Sequence, residues 1–359
     1  MSNLKKAKEW YERRERHISS AFLVGGFIFD SLTLNRIDSL LDNLWLTINL
    51  LVVCICIILI NKGENTGERE DSWKQFWLFN VMQFSFGALL GACFVFYFRS
   101  ATLSISWPFL AILLLAMLGN EFFQKRYARL TFQLSFLYLS VFIFLIFLLP
   151  VVLHSIGAFV FVLSGLASLV FIWMYLKILG KFAREKFRES WLPIWQSVAA
   201  IFIVLNILYF TNLIPPIPLS LKDAGIYYSI GRDVEGNYSV TEEKKGWGRF
   251  FQLREKIHWV AGTPLYAYTA VFSPGSLNTQ VVHEWQYKNK SGDWVTATRI
   301  PLYLSGGRAE GFRIFSVKYS LTPGEWRVNV LTPRGQVLGR LSFEIVPVAS
   351  SPAIRSSVK

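Results

Sequence analysis

Four charged side chains near the start of the chain could do chemistry inside a membrane. They are Asp30, Arg36, Asp38 and Asp42, and they bracket the turn that follows the first apolar run. A charge in a bilayer costs roughly 2.5–3.5 kcal/mol on insertion scales, so acids there are candidates for holding a cation or a proton. Asp38 and Asp42 are four residues apart, hence on one face of a helix. The alternative, favoured by their place at the membrane edge, is that Arg36 neutralises them at the interface.

The remaining reactive residue types do not form a catalytic pattern. The sequence contains no H-E-x-x-H, G-x-S-x-G or phosphate-loop motif. Cys54 and Cys56 are two residues apart, so on a helix they do not face each other and do not predict a metal pair. We predict no catalytic residues, no metal and no cofactor, while leaving open whether the chain is an enzyme.

Long apolar runs in the first 213 residues must position the acidic residues. The chain is 53% hydrophobic and only 17% charged, whereas soluble proteins carry about 25% charge. A membrane-spanning helix needs about 20 apolar residues. The first run contains Asp30 and is short, so a re-entrant or interfacial segment is the alternative for it. An all-α bundle of about seven transmembrane helices is predicted, at 19–34, 39–61, 75–98, 104–121, 130–150, 155–178 and 191–213.

Basic residues alternate between the two sides of these runs. The loops on the other side contain only Arg36 and Arg99. Lysine and arginine concentrate in cytoplasmic loops, so the N-terminus is predicted to be cytoplasmic and the C-terminal part to lie outside, in the periplasm or beyond it. This predicts a multi-pass membrane protein. The basic loops hold Lys5, Lys6, Lys8, Arg13, Arg14 and Arg16, then Lys62, Arg69 and Lys74, then Lys125, Arg126 and Arg129, then Lys177, Lys181, Arg184, Lys186 and Arg188.

A small-residue motif lies within the third apolar run. Gly87 and Gly91 form a G-x-x-x-G pattern, which lets two helices approach closely in a membrane. The pattern is compatible with a homo-oligomer formed through these glycines. Packing against another helix of the same bundle is the alternative.

After the last apolar run the sequence changes its period from helical to alternating. Prolines at 215, 216 and 218 forbid further helix and favour a stiff stalk. Short alternating runs separated by turn residues then predict an all-β, immunoglobulin-like antiparallel sandwich. Strands are expected near 225–230, 236–242, 264–272, 279–288, 294–304, 312–320, 325–332 and 337–346. The predicted domains are a cytoplasmic arm at 1–17, a transmembrane domain at 18–213, a stalk at 214–222, a β-sandwich at 223–347 and a disordered tail at 348–359.

The alternation also assigns residues to the core of the sandwich. His283 shares a face with Val281 and Trp285, which favours a hydrogen-bonded core histidine over a catalytic one. The tryptophans of this half are assigned to the core, with a sugar-stacking platform as the alternative. Basic residues outnumber acidic ones from residue 214 onward, which favours anionic partners over nucleic acid outside the cytoplasm. The candidate binding surface is Trp294, Arg308, Arg313 and Lys318.

The C-terminal stretch resembles a bacterial family catalogued as domain of unknown function 2914. The exit segment 214–222 is also similar to that of long members with a multi-helix membrane half. The resemblance implies an inner-membrane protein and implies no activity. It is carried by His283-Glu284-Trp285, Gly306-Gly307-Arg308, Gly311-Phe312-Arg313, Ser316-Val317-Lys318, Pro323-Gly324-Glu325-Trp326-Arg327-Val328, Gly335-Gln336-Val337-Leu338-Gly339 and Phe343.

Two functional hypotheses follow from these patterns. In the first, the bundle anchors a β domain that binds a protein, a glycan or an anionic lipid of the cell envelope. In the second, the chain is a transporter or a membrane-embedded enzyme that uses the acidic cluster around Asp30, with the β domain as a lid or docking module. The second hypothesis predicts a polar cavity that reaches this cluster.

Overall fold

The computed structural model describes residues 39–62, 72–122, 129–232, 237–243, 255–273, 279–304, 311–350 and 352–359. The chain divides into two compact units. The helical unit ends at Leu213, and the β unit comprises Ile214–Lys359 together with the short segment Ser100–Ile105.

The helical unit contains six helices within the described residues. Five of them are long and apolar enough to cross a membrane, which suggests membrane association. The prediction of seven spans therefore differs from the structure: the run at 19–34 lies outside the described residues, and the apolar part of α3 covers only Leu103–Gly119. At 1.5 Å per residue this part is shorter than a hydrocarbon core of about 30 Å. The helices are α1 Leu40–Lys62, α2 Ser72–Ser100, α3 Leu103–Phe122, α4 Leu130–Leu153, α5 Ala158–Phe182 and α6 Arg184–Phe210.

Buried polar side chains link these helices to one another. Asn61 of α1 donates from Nδ2 to Oε1 of Gln133 on α4, at 2.8 Å. The hydroxyl of Tyr97 on α2 donates to the carbonyl of Ile143 on α4, at 3.0 Å. Hydrogen bonds of this kind stabilise helix association where no water competes for the same groups.

The β unit contains eleven described strands in three sheets. Their order is β4-β10-β9-β6-β7 in the largest sheet, β1-β5-β8 in the second and β11-β3-β2 in the third. The strands are β1 Ser220–Tyr227, β2 Ser229–Arg232, β3 Tyr238–Glu243, β4 Glu255–Trp259, β5 Leu265–Phe272, β6 Thr279–Lys288, β7 Trp294–Leu304, β8 Phe312–Lys318, β9 Gly324–Leu331, β10 Val337–Pro347 and β11 Ile354–Val358.

The first two sheets enclose the main hydrophobic core. Alternating residues of the five-stranded sheet, among them Trp285, Val328 and Phe343, pack with Leu265 and Ala267 of β5. The prediction of antiparallel sheets packed around a common core is therefore confirmed. One pair departs from it, because β4 joins the edge of the sheet parallel to β10. Parallel pairing requires a long connection rather than a hairpin, so no turn pattern signals it.

The third sheet forms a further layer over the outer face of β1-β5-β8. Tyr227, Val240, Tyr268 and Ala270 form its small core. The strand β11 belongs to this sheet and pairs antiparallel with β3. The predicted disordered tail over 348–359 thus differs from the structure, since backbone pairing and a hydrogen bond from Arg355 Nε to Glu242 Oε1 at 3.0 Å hold it in place.

The proline segment is also more ordered than a free stalk. Residues 214–220 are buried, and β1 already begins at Ser220. Two tight turns shape it, with the Ile217 amide bonding to the Pro215 carbonyl and the Leu219 amide to the Pro216 carbonyl. Prolines thus end the helix as expected, but the chain folds directly into the β unit afterwards.

Candidate functional site: a polar face on the five-stranded sheet

The five-stranded sheet carries a polar surface on the side opposite its core. In a strand, alternate residues point to opposite faces, so the neighbours of the core residues Trp285 and Val328 point outward. Three of these outward residues, Glu284, Gln286 and Asn329, are nonetheless buried. They are surrounded by arginines of three strands. We call this set the arginine face: Glu284, Gln286, Arg299, Arg327, Asn329 and Arg340.

The strand register sets these residues in two rows. In the first row, Glu284 of β6 lies opposite Arg299 of β7 and Asn329 of β9, and Asn329 lies opposite Arg340 of β10. In the second row, Gln286 lies opposite Arg327. Directly opposed residues have Cβ atoms about 4.5–5.5 Å apart, and diagonal neighbours about 7–8 Å. The register therefore places Arg299 opposite Glu284 and Arg327 diagonal to it, while Arg340 lies one strand further away, beyond Asn329.

Glu284 is the centre of this network. Its Oε1 accepts from Arg299 Nε at 2.8 Å and forms an ion pair with Nη2 at 2.6 Å, while its Oε2 accepts from Asn329 Nδ2 at 3.0 Å and from Gln286 Nε2 at 2.9 Å. Burial raises the pKa of this carboxyl, but the hydrogen bonds from Asn329 and Arg299 and the charge of Arg299 outweigh it, so the pKa lies below its ordinary value. Glu284 is therefore ionised and committed to these partners.

Arg327 and Arg340 are held in a different way. Each donates through Nε to a neutral amide oxygen at 2.7 Å, Arg327 to Gln286 Oε1 and Arg340 to Asn329 Oδ1. The guanidinium of Arg327 also lies over the ring of Trp294, 4.2 Å from its centroid. Burial, and then the charge of Arg340, lower the pKa of Arg327. Arginine stays protonated in proteins, so two like charges are fixed side by side.

This arrangement is suited to binding an anion. Three guanidinium groups share this face with the buried carboxylate of Glu284, and the flanking acids Glu325 and Glu344 pair with lysines of the same face. Arginines oriented by fixed partners lose less entropy on binding than free ones. The described residues of the face include no nucleophile with an adjacent base.

On the opposite face of β6, His283 is a hydrogen-bonded core residue, as predicted. It is fully buried, with Nε2 2.9 Å from Thr269 Oγ1 and Nδ1 2.9 Å from Ser316 Oγ. Burial lowers its pKa from 6.5 to about 4. The imidazole is therefore neutral at physiological pH, and its role is to join the two sheets across the core.

The structure places the sequence-predicted surface residues on different faces. Trp294 contacts Arg327 on the arginine face, whereas Lys318 Nζ donates to Thr298 Oγ1 at 2.7 Å. Arg313 donates to the Lys359 carbonyl at 2.9 Å, on the side of β8 that faces the third sheet. Arg308 lies outside the described residues. Of the four, the structure thus assigns only Trp294 to the arginine face.

The three buried tryptophans follow the predicted core assignment. Trp259, Trp285 and Trp326 are at most 5% exposed. Their indole nitrogens each donate a hydrogen bond, to Thr263, Ser316 and Thr322 respectively. Trp294 is half-buried on the outer face, and its ring is covered by Arg327. A platform of two exposed coplanar indoles is not formed by the described tryptophans of this unit.

The predicted intramembrane cluster lies mostly outside the described residues. Asp30, Arg36 and Asp38 fall there. Asp42 lies in the first turn of α1, where its amide donates to Ser39 Oγ at 3.4 Å. A hydroxyl before the first turn and an acid within it are the usual stabilising groups of a helix N-terminus, which gives Asp42 a structural explanation, and its role in a cation or proton site stays a prediction.

The glycine pair of the third apolar run lies within α2. Gly91 is buried and Gly87 is half-buried. Homo-oligomerisation through these glycines stays a prediction, and packing inside the bundle remains its alternative.

A second polar cluster joins β3 to β4. Glu243 accepts from the Tyr228 hydroxyl, from the His258 amide at 2.7 Å and from His258 Nδ1 at 3.0 Å. Burial raises the pKa of Glu243, but hydrogen bonds from Tyr228 and His258 outweigh it, so the pKa lies below 4.5. Each oxygen of this carboxylate is used in holding the two strands together, which indicates a structural role.

Replacing Glu243 with glutamine is expected to destabilise the β unit by about 1–3 kcal/mol, because the negative charge and one of the two acceptor oxygens are lost, and an amide NH2 would face His258 Nδ1. A depressed carboxyl pKa contributes stability above pH 4.5 that is lost as the pH falls below it, so the variant should also be less sensitive to acid. Thermal unfolding of the full chain measures both effects. Glu344→Gln, which removes an exposed carboxylate 4.0 Å from Lys256, is the control and should change stability by less than about 0.5 kcal/mol.

Sequence reasoning did not single out most of the arginine face. Glu284, Arg327 and Arg340 each occupy the outward position of an alternating strand, which ordinarily holds a solvated side chain. The signal that could have found them is the run of polar outward residues on β6, β9 and β10. That signal needs the strand order, because the strands are adjacent in the sheet but not in the sequence.

Comparison with known proteins gives one family. Residues 278–345 match the model of a family described as a protein of unknown function, DUF2914. The match lies in the C-terminal part of the chain and includes the whole arginine face. No curated protein matches the chain.

Solved structures give only distant likenesses. An immunoglobulin-like protein from Pseudomonas aeruginosa has a TM-score of 0.21 and 13% identity, over 36% of this chain and 98% of its own. The alkylpurine DNA glycosylase AlkC of Pseudomonas fluorescens, bound to DNA containing an abasic site analog, has a TM-score of 0.24 and 11% identity, over 87% and 99%. A β-glucosidase from Listeria innocua has a TM-score of 0.19 and 13% identity, over 31% and 16%. At these TM-scores, nothing about this chain is concluded from them.

Proposed function

We propose that this chain is a non-enzymatic protein of the bacterial inner membrane whose β unit binds a partner in the cell envelope. The helical unit is the anchor, and the partner is an anionic protein, glycan or lipid met outside the cytoplasm. The arginine face is the observation that carries the proposal. A sheet surface ordinarily holds solvated side chains, yet this one buries a carboxylate and two amides to orient arginines.

The physical reason for favouring recognition lies in the cost of that arrangement. Buried polar groups are expensive unless all their hydrogen bonds are made. On this face, Glu284, Gln286 and Asn329 satisfy one another and also hold Arg327 and Arg340. A fold that needed only stability would be served as well by apolar packing. The network is therefore better explained by the orientation it imposes on the arginines.

The direction of the chain in the membrane is proposed from the alternation of basic loops. A reporter that is active only outside the cytoplasm, joined after Lys359, is expected to be active. A second reporter that matures only in the cytosol, joined at the same position, is expected to be inactive. The converse pair of results would place the β unit in the cytoplasm and overturn the proposal.

Partner binding is tested with the full chain in nanodiscs used as bait against envelope extract. The envelope component that binds the parent chain should not bind the double variant Arg327→Gln/Arg340→Gln. It should persist in Arg355→Gln, which removes a positive charge paired with Glu242 in the third sheet. Equal retention by all three forms would remove the arginine face from the proposal.

The alternative of a transporter or membrane-embedded enzyme rests on Asp30 and its neighbours. Most of that cluster lies outside the described residues, and Asp42 has the helix-capping explanation given above. The buried polar residues Asn61 and Gln133 of the bundle bond to each other. No described feature of the bundle favours this alternative over an anchor.

A further inference from the structure

We propose that Arg327 and Arg340 form a binding site for a doubly charged tetrahedral oxyanion, the phosphate monoester group of a water-soluble ligand. The inference rests on the proposed function and names the chemistry that the arginine face recognises. It concerns a specific pair of guanidinium groups rather than the overall positive charge of the β unit.

The first argument is the geometry of the two arginines. Each uses only Nε for an internal hydrogen bond, to Gln286 and to Asn329. Within the described part of the chain, the terminal amino groups of both guanidiniums have no hydrogen-bond partner. Arg327 and Arg340 are diagonal neighbours on adjacent strands, so their backbones are about 7–8 Å apart. Two forks at this separation can both donate to one anion of phosphate size.

The second argument is the way in which the forks are fixed. Gln286 and Asn329 are neutral, so they orient the arginines without cancelling their charge. Both amides are in turn held by Glu284. The ring of Trp294 restrains the plane of Arg327 from another direction. A site whose donors are already oriented gives up little entropy when the ligand arrives.

The third argument is the charge. Glu284 pairs directly with Arg299, with contacts of 2.6 and 2.8 Å. Arg327 and Arg340 make no ion pair with a described carboxylate, which leaves two positive charges side by side. A phosphate monoester carries about −1.5 to −2 charges near neutral pH and neutralises both. A single carboxylate neutralises only one, so the pair favours phosphate over carboxylate.

The fourth argument concerns the source of the phosphate. Protein surfaces that bind lipid headgroups combine basic residues with exposed Trp, Phe or Leu that enter the acyl boundary. The exposed residues directly beside Arg327 and Gln286 in their row are Ser342 and Thr296. Both are small and polar, and the adjacent ring of Trp294 lies under Arg327. This composition suits a soluble ligand.

The test is calorimetric titration of the full chain, held in phosphatidylcholine nanodiscs, with inorganic phosphate at fixed ionic strength. Phosphate is expected to bind at least about tenfold more tightly than acetate. Arg327→Gln and Arg340→Gln should each weaken phosphate binding at least about tenfold. Arg340→Lys keeps the charge but loses the fork and the Nε bond to Asn329, so it should show an intermediate loss.

Arg355→Gln is the matched control, because it removes one arginine charge from a different sheet. Its phosphate affinity should stay within about twofold of the parent, and equal weakening would mean that only net charge matters, which overturns the site. Acetate binding as tightly as phosphate would overturn the requirement for a dianion. Binding to phosphatidic acid vesicles without binding of inorganic phosphate would overturn the soluble source.

A folding failure is separated from a binding failure by hydrogen exchange of β9 and β10 amides, measured in the same preparations. Unchanged protection together with lost binding supports the site. Unchanged protection with retained binding in both single glutamine variants overturns it. If phosphate fails to bind while the envelope partner is still retained and the reporter is still active outside the cytoplasm, the phosphate inference falls and the proposed function stands.

Discussion

Trp285→Ala is expected to destabilise the β unit by about 3–5 kcal/mol, the usual cost of removing a large buried aromatic ring. The indole is completely buried, lies edge-on to Phe343 with ring centroids 6.3 Å apart, and donates from Nε1 to Ser316 Oγ at 3.0 Å. Truncation leaves a cavity between the two sheets, and Ser316 loses a donor. Because domains of this size are stable by only about 5–15 kcal/mol, the loss should be large.

Hydrogen exchange of β6 and β9 amides in the full chain measures this loss locally. Trp294→Ala is the matched control, since it removes the same ring from a half-buried position on the opposite face of the sheet. It should cost about 1 kcal/mol or less, while releasing Arg327 from one of its contacts. Equal effects of the two substitutions would contradict the assignment of the tryptophans to core and outer face.

Lowering the pH is expected to destabilise the packing between the same two sheets, because His283 lies between them. Burial lowers the pKa of this imidazole from 6.5 to about 4. Between these values the unfolded chain binds a proton that the folded chain does not, so stability is complete above pH 6.5 and falls as the pH drops toward 4. One unit of pKa displacement corresponds to about 1.4 kcal/mol, so a loss of about 1–3 kcal/mol is expected across this window.

The measurement is hydrogen exchange of β6 and β8 amides as a function of pH, corrected for the intrinsic exchange rate. His283→Gln removes the titrating group, so its stability should vary less between pH 6.5 and 4 even if its absolute stability is lower. Gln280→Asn is the control, because it changes a non-titrating side chain of the same strand β6, and it should retain the pH dependence of the parent. A parent profile that is flat over this range would falsify the assignment of a neutral buried imidazole.

Local patterns were sufficient for the elements and for their faces. Six of the seven apolar runs correspond to described helices, as at 130–150 and α4 Leu130–Leu153, and the run at 19–34 lies outside the described residues. Alternation placed Val328, Phe343 and His283 in the core, where they are buried. Both signals work because a helix or a strand repeats its environment at a fixed short period. The length of the α3 apolar stretch, the strand β4 and the order of the C-terminal residues were the exceptions.

Two strands, β4 and β11, were not found in this way. The β4 strand is short and pairs parallel with β10, which is far away in the sequence. The β11 strand is exposed and polar, and it is held by pairing with β3 and by ion pairs to Glu242 and Asp223. Backbone hydrogen bonds and long-range ion pairs stabilise these strands, and neither leaves a periodic trace in the sequence.

The sequence by itself determined the division into apolar helices and an alternating β half, and the inward side of each strand, because burial selects residue type at neighbouring positions. Only the tertiary structure decided that Glu284, Arg299, Arg327 and Arg340 meet. Their contacts depend on β6 lying between β7 and β9, with β10 beyond. That order comes from the packing of whole sheets, in which residues tens of positions apart become neighbours at hydrogen-bonding distance.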